Sequence, residues 1–100
     1  MNNNKSHYKK VKKLSMSLKE IQVVLQTHQE WLNSKGTLGL QANFKGMDLS
    51  GYDLRKLDLR GADFTEVNLN QANLEKADLQ GANFQNANLD FSNRSEERRV

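Results

Sequence analysis

The stretch from Gly61 to Leu89, "GADFTEVNLNQANLEKADLQGANFQNANL", decides the fold because an apolar residue returns in it at every fifth position. A period of five is neither the two-residue period of a β-strand nor the 3.6-residue period of an α-helix. The same period begins near Gln41, and its central apolar positions are Phe44, Leu49, Leu54, Leu59, Phe64, Leu69, Leu74, Leu79, Phe84 and Leu89.

Each five-residue unit has the same frame: a small or apolar residue, Asp or Asn, Leu or Phe, and then two variable residues. Residues two apart in an extended segment point to the same side, so the two apolar positions face inward and the Asp or Asn between them faces outward. The two variable residues then turn a corner, where glycine recurs at the last position. We call the extended segment of each unit a wall. A chain that repeats walls and bends is predicted to form coils stacked about 4.8 Å apart.

Phenylalanine replaces leucine at Phe44, Phe64 and Phe84, which are twenty residues apart. If this spacing is not a coincidence, four walls make one coil and the three rings lie above one another in a column.

The segment "ADFTEVNLNQANLEKADLQGANFQNANL" resembles the pentapeptide-repeat family, whose pattern is A(D/N)LXX, and the resemblance covers residues 41–93. It implies an all-β solenoid, namely a right-handed four-sided (quadrilateral) β-helix of about 2.5 coils, preceded by one α-helix as an N-terminal cap. We therefore expect an interior built from the ten central residues together with Ala62, Ala72, Ala77, Ala82 and Ala87. Larger residues occupy the small position early in the repeat, at Met47, Tyr52 and Leu57, and they predict a distorted or widened first coil.

A capping α-helix is predicted within residues 17–36. The S-x-x-E pattern of Ser17 and Glu20 is typical of a helix start, and Gly36 suits the left-handed position that closes a helix. The apolar face of this helix is predicted to cover the neighbouring repeat, and it consists of Ile21, Val24, Leu25, His28 and Leu32. A buried position on that face makes His28 a packing residue rather than a catalytic base.

Charge divides the chain into three parts. Residues 1–40 carry seven Lys and two Glu, a net charge of +5, whereas residues 41–93 carry five basic and eight acidic groups, a net charge of −3. Residues 1–16 are predicted to be a disordered basic tail, with Met16 as an alternative start. Residues 94–100, "RSEERRV", form a non-repeat tail with a net charge of +1. Its codons can spell a common sequencing-adapter sequence, so it is interpreted either as a sequencing artefact or as a charged tail.

The sequence shows no pattern typical of catalysis. It has no cysteine, its two histidines are His7 and His28, and its glycines recur as repeat corners rather than in a phosphate-binding loop. A calcium site needs six to eight converging oxygens, whereas the regular Asp and Asn residues project singly, so their expected role is to bond nearby backbone groups at the bends. We expect no enzyme activity, no cofactor and no metal.

Function is therefore predicted to lie on the surface. The leading hypothesis is a cytoplasmic binding or scaffolding module with a protein partner and no membrane association, and self-association through an open C-terminal coil is a further expectation. One alternative, implied by the resemblance, is a DNA mimic that binds DNA gyrase or topoisomerase. Another is contact with nucleic acid through the basic tail. The candidate contact residues are Arg55, Lys56, Arg60, Glu66, Glu75 and Lys76.

Overall fold

The computed structural model describes residues 17–95, which contain one helix, α1 (Leu18–Asn33), followed by the repeat region. Among these residues, no helix is long and apolar enough to cross a membrane. The predicted basic tail, residues 1–16, lies outside the described residues, as do residues 96–100 of the predicted C-terminal tail.

Helix α1 begins with a capping box. The Ser17 hydroxyl oxygen accepts from the backbone N–H of Glu20 at 3.1 Å, and the Glu20 carboxylate accepts from the N–H of Ser17 at 2.8 Å. These two bonds satisfy donors that the first turn of a helix leaves without partners. At the other end the first left-handed residue is Lys35, with φ of 57°, and Gly36 follows with φ of 90°. The left-handed closure predicted for Gly36 thus extends over two residues.

The repeat region is held by parallel pairing between residues twenty apart. The walls are short, because each contributes an isolated bridge rather than a longer strand. The seven bridges among the described residues join Asn43 to Asp63, Asp48 to Asn68, Asp53 to Asn73, Asp58 to Asp78, Asp63 to Asn83, Asn68 to Asn88 and Asn73 to Asn93. The last pair shows that the backbone register continues to the end of the apolar pattern.

The same bonds recur around each bridge. The Phe44 N–H donates to the Asp63 carbonyl at 2.8 Å, and the Asp63 N–H donates to the Ala42 carbonyl at 2.9 Å. Within a unit, the Met47 N–H donates to the Phe44 carbonyl at 2.9 Å and closes the corner. After every twenty residues the backbone therefore runs alongside its earlier path, and a parallel bridge joins the two segments.

The last position of every corner has a left-handed backbone. Its φ lies between 59° and 74° whether or not the residue is glycine, at Gly46, Gly51, Lys56, Gly61, Glu66, Gln71, Lys76, Gly81, Asn86 and Phe91. The preceding corner residue has no positive φ, which is the pattern of a type II turn. The repeat therefore imposes this conformation on side chains that disfavour it.

The core follows the five-residue period. The central residues from Phe44 to Leu79 are at most 2% exposed, and the same buried cluster contains Ala62, Ala72, Ala77 and Ile21 of α1. The three phenylalanine rings form a column, with centroids 5.2 Å apart between Phe44 and Phe64 and 5.0 Å apart between Phe64 and Phe84. Burial decreases at the last units, where the partly buried members are Ala82, Phe84, Ala87 and Leu89.

The first coil keeps a regular pairing with the next coil, which contradicts the expected widening. Its central residues donate to the next coil at distances of 2.8 to 2.9 Å, close to the 2.7 to 2.8 Å of the later ones. A local departure remains at Leu57, since the corner bond from its N–H to the Leu54 carbonyl is the one missing from the series between Met47 and Ser92. Met47, Tyr52 and Leu57 are partly buried and pack against the core cluster, as do Val24 and Leu25 of α1. Because no earlier coil lies beneath them, these larger side chains have room at the end of the core without widening the backbone.

Candidate interaction surface

The outward Asp and Asn residues stabilise the turns. In each unit the side-chain oxygen accepts from the backbone N–H two residues later, as in Asn43 to Lys45 at 2.9 Å and Asn68 to Asn70 at 2.9 Å. This is the local bonding typical of Asx residues at bends. No group of His, Cys, Asp or Glu within residues 17–95 could hold a metal ion. The variable positions are therefore the ones that remain for recognition.

One wall carries a concentrated set of charges. Arg55, Lys56, Glu75 and Lys76, here called the charged wall, are the outward corner residues that follow Leu54 and Leu74 in successive coils. Arg55 forms a bidentate ion pair with Asp53, with two bonds of 2.9 Å. Hydrogen bonds from the Arg55 side chain hold the pKa of the Asp53 carboxyl below its usual range. Glu75 adds a smaller electrostatic attraction on Arg55.

Arg60 lies on the next wall and is occupied by acidic neighbours. It donates to both carboxylate oxygens of Asp58, at 2.7 and 2.6 Å, and its Nε lies 3.9 Å from Asp78 in the following coil. The hydrogen bond from the Arg60 side chain is the main reason why the pKa of Asp58 is lowered. These pairs reduce the net negative charge of this wall, and because the Arg60 side chain is exposed to solvent they add little to stability.

His28 joins α1 to the repeat and is fully buried. Its Nδ1 accepts from the Ala42 N–H at 2.9 Å, and its Nε2 lies 3.0 Å from the Arg60 carbonyl oxygen. The Trp31 ring stacks on the imidazole with centroids 5.5 Å apart. Burial lowers the pKa of His28, with a smaller opposing effect from the bond to Arg60.

Two glycines allow the chain to pass close to α1. A Cβ on Gly39 would lie 2.7 Å from the Trp31 backbone nitrogen and would also meet the Thr27 carbonyl, which accepts from the Leu40 N–H. A Cβ on Gly61 would lie 3.3 Å from the Trp31 ring. The loop after α1 and the first coil therefore both lie against the helix.

Comparison with known families agrees with this repeat geometry. The family profile described as "Pentapeptide repeats" matches the chain in eight copies, over residues 41–71 and 53–93. The chain belongs to the pentapeptide repeat family. Pentapeptide repeats imply a right-handed β-helix, and proteins of this family are generally non-enzymatic structural or binding proteins.

One solved structure is similar to part of this chain. The sequence of this pentapeptide repeat protein is 30% identical to that of the pentapeptide repeat protein Rfr23 from the cyanobacterium Cyanothece 51142. The crystal structure of Rfr23 matches this structure with a TM-score of 0.44. The similarity covers 59% of this chain and 44% of the cyanobacterial chain, so this chain spans less than half of that protein's length. No curated protein matches the chain.

The six predicted contact residues of this pentapeptide repeat protein do not form one cluster. Arg55, Lys56, Glu75 and Lys76 share the charged wall, whereas Arg60 lies on the next wall and Glu66 on the wall of Phe64. All are exposed except Glu75, which is partly buried. The predicted helix face is also mixed: Ile21 and His28 are buried, while Val24, Leu25 and Leu32 are partly buried.

Proposed function

We propose that this pentapeptide repeat protein is a non-enzymatic binding or scaffolding module that presents the charged wall to a protein partner. In this proposal residues 41–93 form a right-handed four-sided β-helix of about 2.5 coils, and α1 is its N-terminal cap. The twenty-residue register supports four walls per coil, and the contacts of Ile21 and His28 with the repeat support the cap. We retain a cytoplasmic location as part of the proposal, because the sequence has no cysteine.

The observation that carries the proposal is the division of roles within each unit. Buried Leu, Phe and Ala fill the interior, Asx side chains bond the turns, and two outward positions per unit are left to vary. On the charged wall these positions place Lys56 and Lys76 in consecutive coils at the same left-handed corner. A surface whose backbone is fixed in this way loses little conformational entropy when it binds.

The test uses a variant that removes three charges from the charged wall, Lys56→Gln, Glu75→Gln and Lys76→Gln. The matched control also removes two positive charges and one negative charge, from exposed residues outside the charged wall, Lys19→Gln, Glu30→Gln and Lys45→Gln. A partner is first captured by crosslinking in cells, identified and purified, and its affinity for each variant is then measured by calorimetry.

We expect a saturable complex whose affinity falls by about tenfold or more in the charged-wall variant and stays within about twofold in the control. Equal weakening in both variants, or the absence of any saturable complex, would show that the charged wall is not the contact surface.

The DNA-mimic alternative receives less support from the geometry. A protein surface that imitates duplex DNA requires a continuous acidic face. Here Asp53 and Asp58 are each paired with an arginine. We therefore expect micromolar protein to leave the supercoiling activity of DNA gyrase unchanged. Clear inhibition would favour mimicry over the scaffold. The nucleic-acid alternative depends on Lys5, Lys9, Lys10, Lys12 and Lys13, which lie outside the described residues.

Self-association through the last coil stays a prediction. Leu89 and Phe84 are partly buried there, and Phe91 is 85% exposed at a left-handed corner. Sedimentation equilibrium of the native chain and of a Phe91→Ser variant tests it: we expect a dimer that the substitution weakens, and a native monomer would exclude it.

A further inference from the structure

His28 replaces two backbone bonds that the first coil lacks. In the repeat, the carbonyl equivalent to that of Arg60 belongs to Gln80, and it accepts from the Gly61 N–H of the preceding coil at 2.9 Å. Arg60 lies in the first coil, and its carbonyl lies 3.0 Å from His28 Nε2 instead. The side chain from α1 therefore takes the place of a preceding coil.

The second bond closes the other end of the same coil. The amide equivalent to that of Ala42 belongs to Ala62, and it donates to the Leu59 carbonyl at 3.1 Å. At Ala42 the donor is directed to His28 Nδ1. Since an amide N–H only donates and a carbonyl only accepts, the imidazole must be neutral and must carry its proton on Nε2.

We propose that His28 is a pH-sensitive latch, and that protonation of its ring releases α1 from the first coil while the repeat stays folded. A protonated ring carries N–H groups on both nitrogens, so its Nδ1–H would face the N–H of Ala42 and that hydrogen bond would be lost. The positive charge would also be buried, which is costly.

The neighbouring charges oppose each other. Asp58 favours the protonated ring and Arg60 disfavours it, and the two are paired with each other. Burial has the largest effect and lowers the pKa of His28 from its ordinary value of 6.5. The contact between α1 and the first coil through His28 is thus fully stabilised above pH 6.5. It is weakened as the pH falls towards the lowered pKa.

The coils themselves have no equivalent sensitivity in this range. The carboxyl groups with shifted pKa values, Asp53, Asp58 and Asp63, are all shifted downward from 3.8 and remain charged at pH 5. The bonds between successive coils join backbone groups and do not involve His28. Release of α1 would uncover Ile21 and the N-terminal end of the core.

The chain provides a local probe, because Trp31 is its single tryptophan and stacks on His28. The full chain is titrated from pH 8 to pH 5 while three signals are recorded: Trp31 fluorescence, far-ultraviolet circular dichroism, and hydrogen exchange of the Ala42 and Ala62 amides by nuclear magnetic resonance.

We expect the fluorescence of Trp31 to change with a midpoint below pH 6.5. The exchange protection of Ala42 should fall by up to about tenfold for each pH unit below that value, whereas Ala62 keeps its protection. The circular dichroism of the repeat should stay constant. Loss of all signals together would mean global unfolding, and constant protection of Ala42 down to pH 5 would mean that no latch exists; either result overturns the proposal.

His28→Gln separates the latch from other effects, because its side-chain amide has an NH2 group that donates and a carbonyl oxygen that accepts, and it does not titrate. We expect this variant to lose the fluorescence transition and the matched His7→Gln variant to keep it. Imidazole nitrogen shifts in the native chain provide a measurement that does not depend on the variant folding. A proton on Nδ1 at pH 7, or a His28 midpoint at or above 6.5, would refute the proposal.

Discussion

Replacing Phe64 with alanine removes the middle ring of the phenylalanine column. Phe64 is fully buried and contacts rings on both sides, at centroid distances of 5.2 and 5.0 Å. A Phe→Ala substitution at a buried site costs about 3–5 kcal/mol, and each aromatic pair adds about 0.5–1.5 kcal/mol beyond the area it buries. Because the Phe→Ala range already includes sites with aromatic neighbours, the two ring contacts place Phe64 in its upper part. We expect a loss of about 4–5 kcal/mol, a large share of the roughly 5–15 kcal/mol typical of a domain.

The control is Phe84→Ala, at the end of the same column. Phe84 is partly buried and has one ring neighbour within the column. Its replacement should cost about half as much, near 2 kcal/mol. Phe64→Leu is a second control, because leucine already occupies every central position of the repeat outside the phenylalanine column, and we expect it to cost about 1–2 kcal/mol.

Urea denaturation at 25 °C, followed by circular dichroism, gives the free energy of unfolding of each variant. With a slope of about 1–2 kcal/mol per molar urea, Phe64→Ala should lower the midpoint by at least about 2 M. If Phe84→Ala is as costly as Phe64→Ala, the column does not provide the extra stabilisation that its geometry indicates.

Three further predictions concern the interior, a corner and a turn. Leu74→Asp should abolish folding, since Leu74 is fully buried and a carboxylate there has no partner; an unchanged melting curve would show that Leu74 does not face inward. Gly61→Ala should cost about 1 kcal/mol more than Gly46→Ala. Both glycines have φ of 72°, but a Cβ on Gly46 meets nothing within 4 Å, whereas one on Gly61 meets the Trp31 ring; equal losses would mean that the ring moves freely. Asp63→Asn should reduce the fall in the free energy of unfolding at acid pH, because bonds from Thr65 lower the pKa of Asp63 and its contribution is lost as the pH falls below 3.8. The same pH dependence in both proteins, in urea titrations at pH 2–5, would rule this out.

The repeat could be predicted from sequence because its determinants are local. Two inward positions, an Asx bond and a corner all lie within five residues, and each unit repeats the same pattern. The twenty-residue spacing of Phe44, Phe64 and Phe84 also indicated the column that the structure shows. Local physics therefore accounts for most of the fold.

The junction with α1 could not be predicted in the same way. His28 bonds residues 14 and 32 positions away, and no local pattern specifies such contacts. The available signal was a histidine on an apolar helix face next to a single tryptophan, which indicated packing but not two bonds to the backbone. The conformation of Phe91 was also unexpected, because an isolated phenylalanine disfavours a positive φ. The repeated bonds of the coil override that preference.

The charged wall was only partly evident from the sequence. The candidate residues were recognised as outward, but their grouping depends on the twenty-residue register, which separates Glu66 and Arg60 from the other four. The ion pairs of Arg55 and Arg60 with the Asp two residues earlier were not predicted. They depend on side-chain conformations that the five-residue period does not specify.

The twenty-residue register also limits which changes in length the protein can accept. Inserting or deleting one residue would shift the frame of every later unit, so that leucines meet solvent and Asx residues meet the core. A change of five residues keeps inside and outside correct but moves each later unit to the next wall, which would separate Phe84 from Phe64. Only a change of twenty leaves every vertical pairing intact. Within the repeat, an internal insertion or deletion of one whole coil of twenty residues should therefore be tolerated better than a change of any other length.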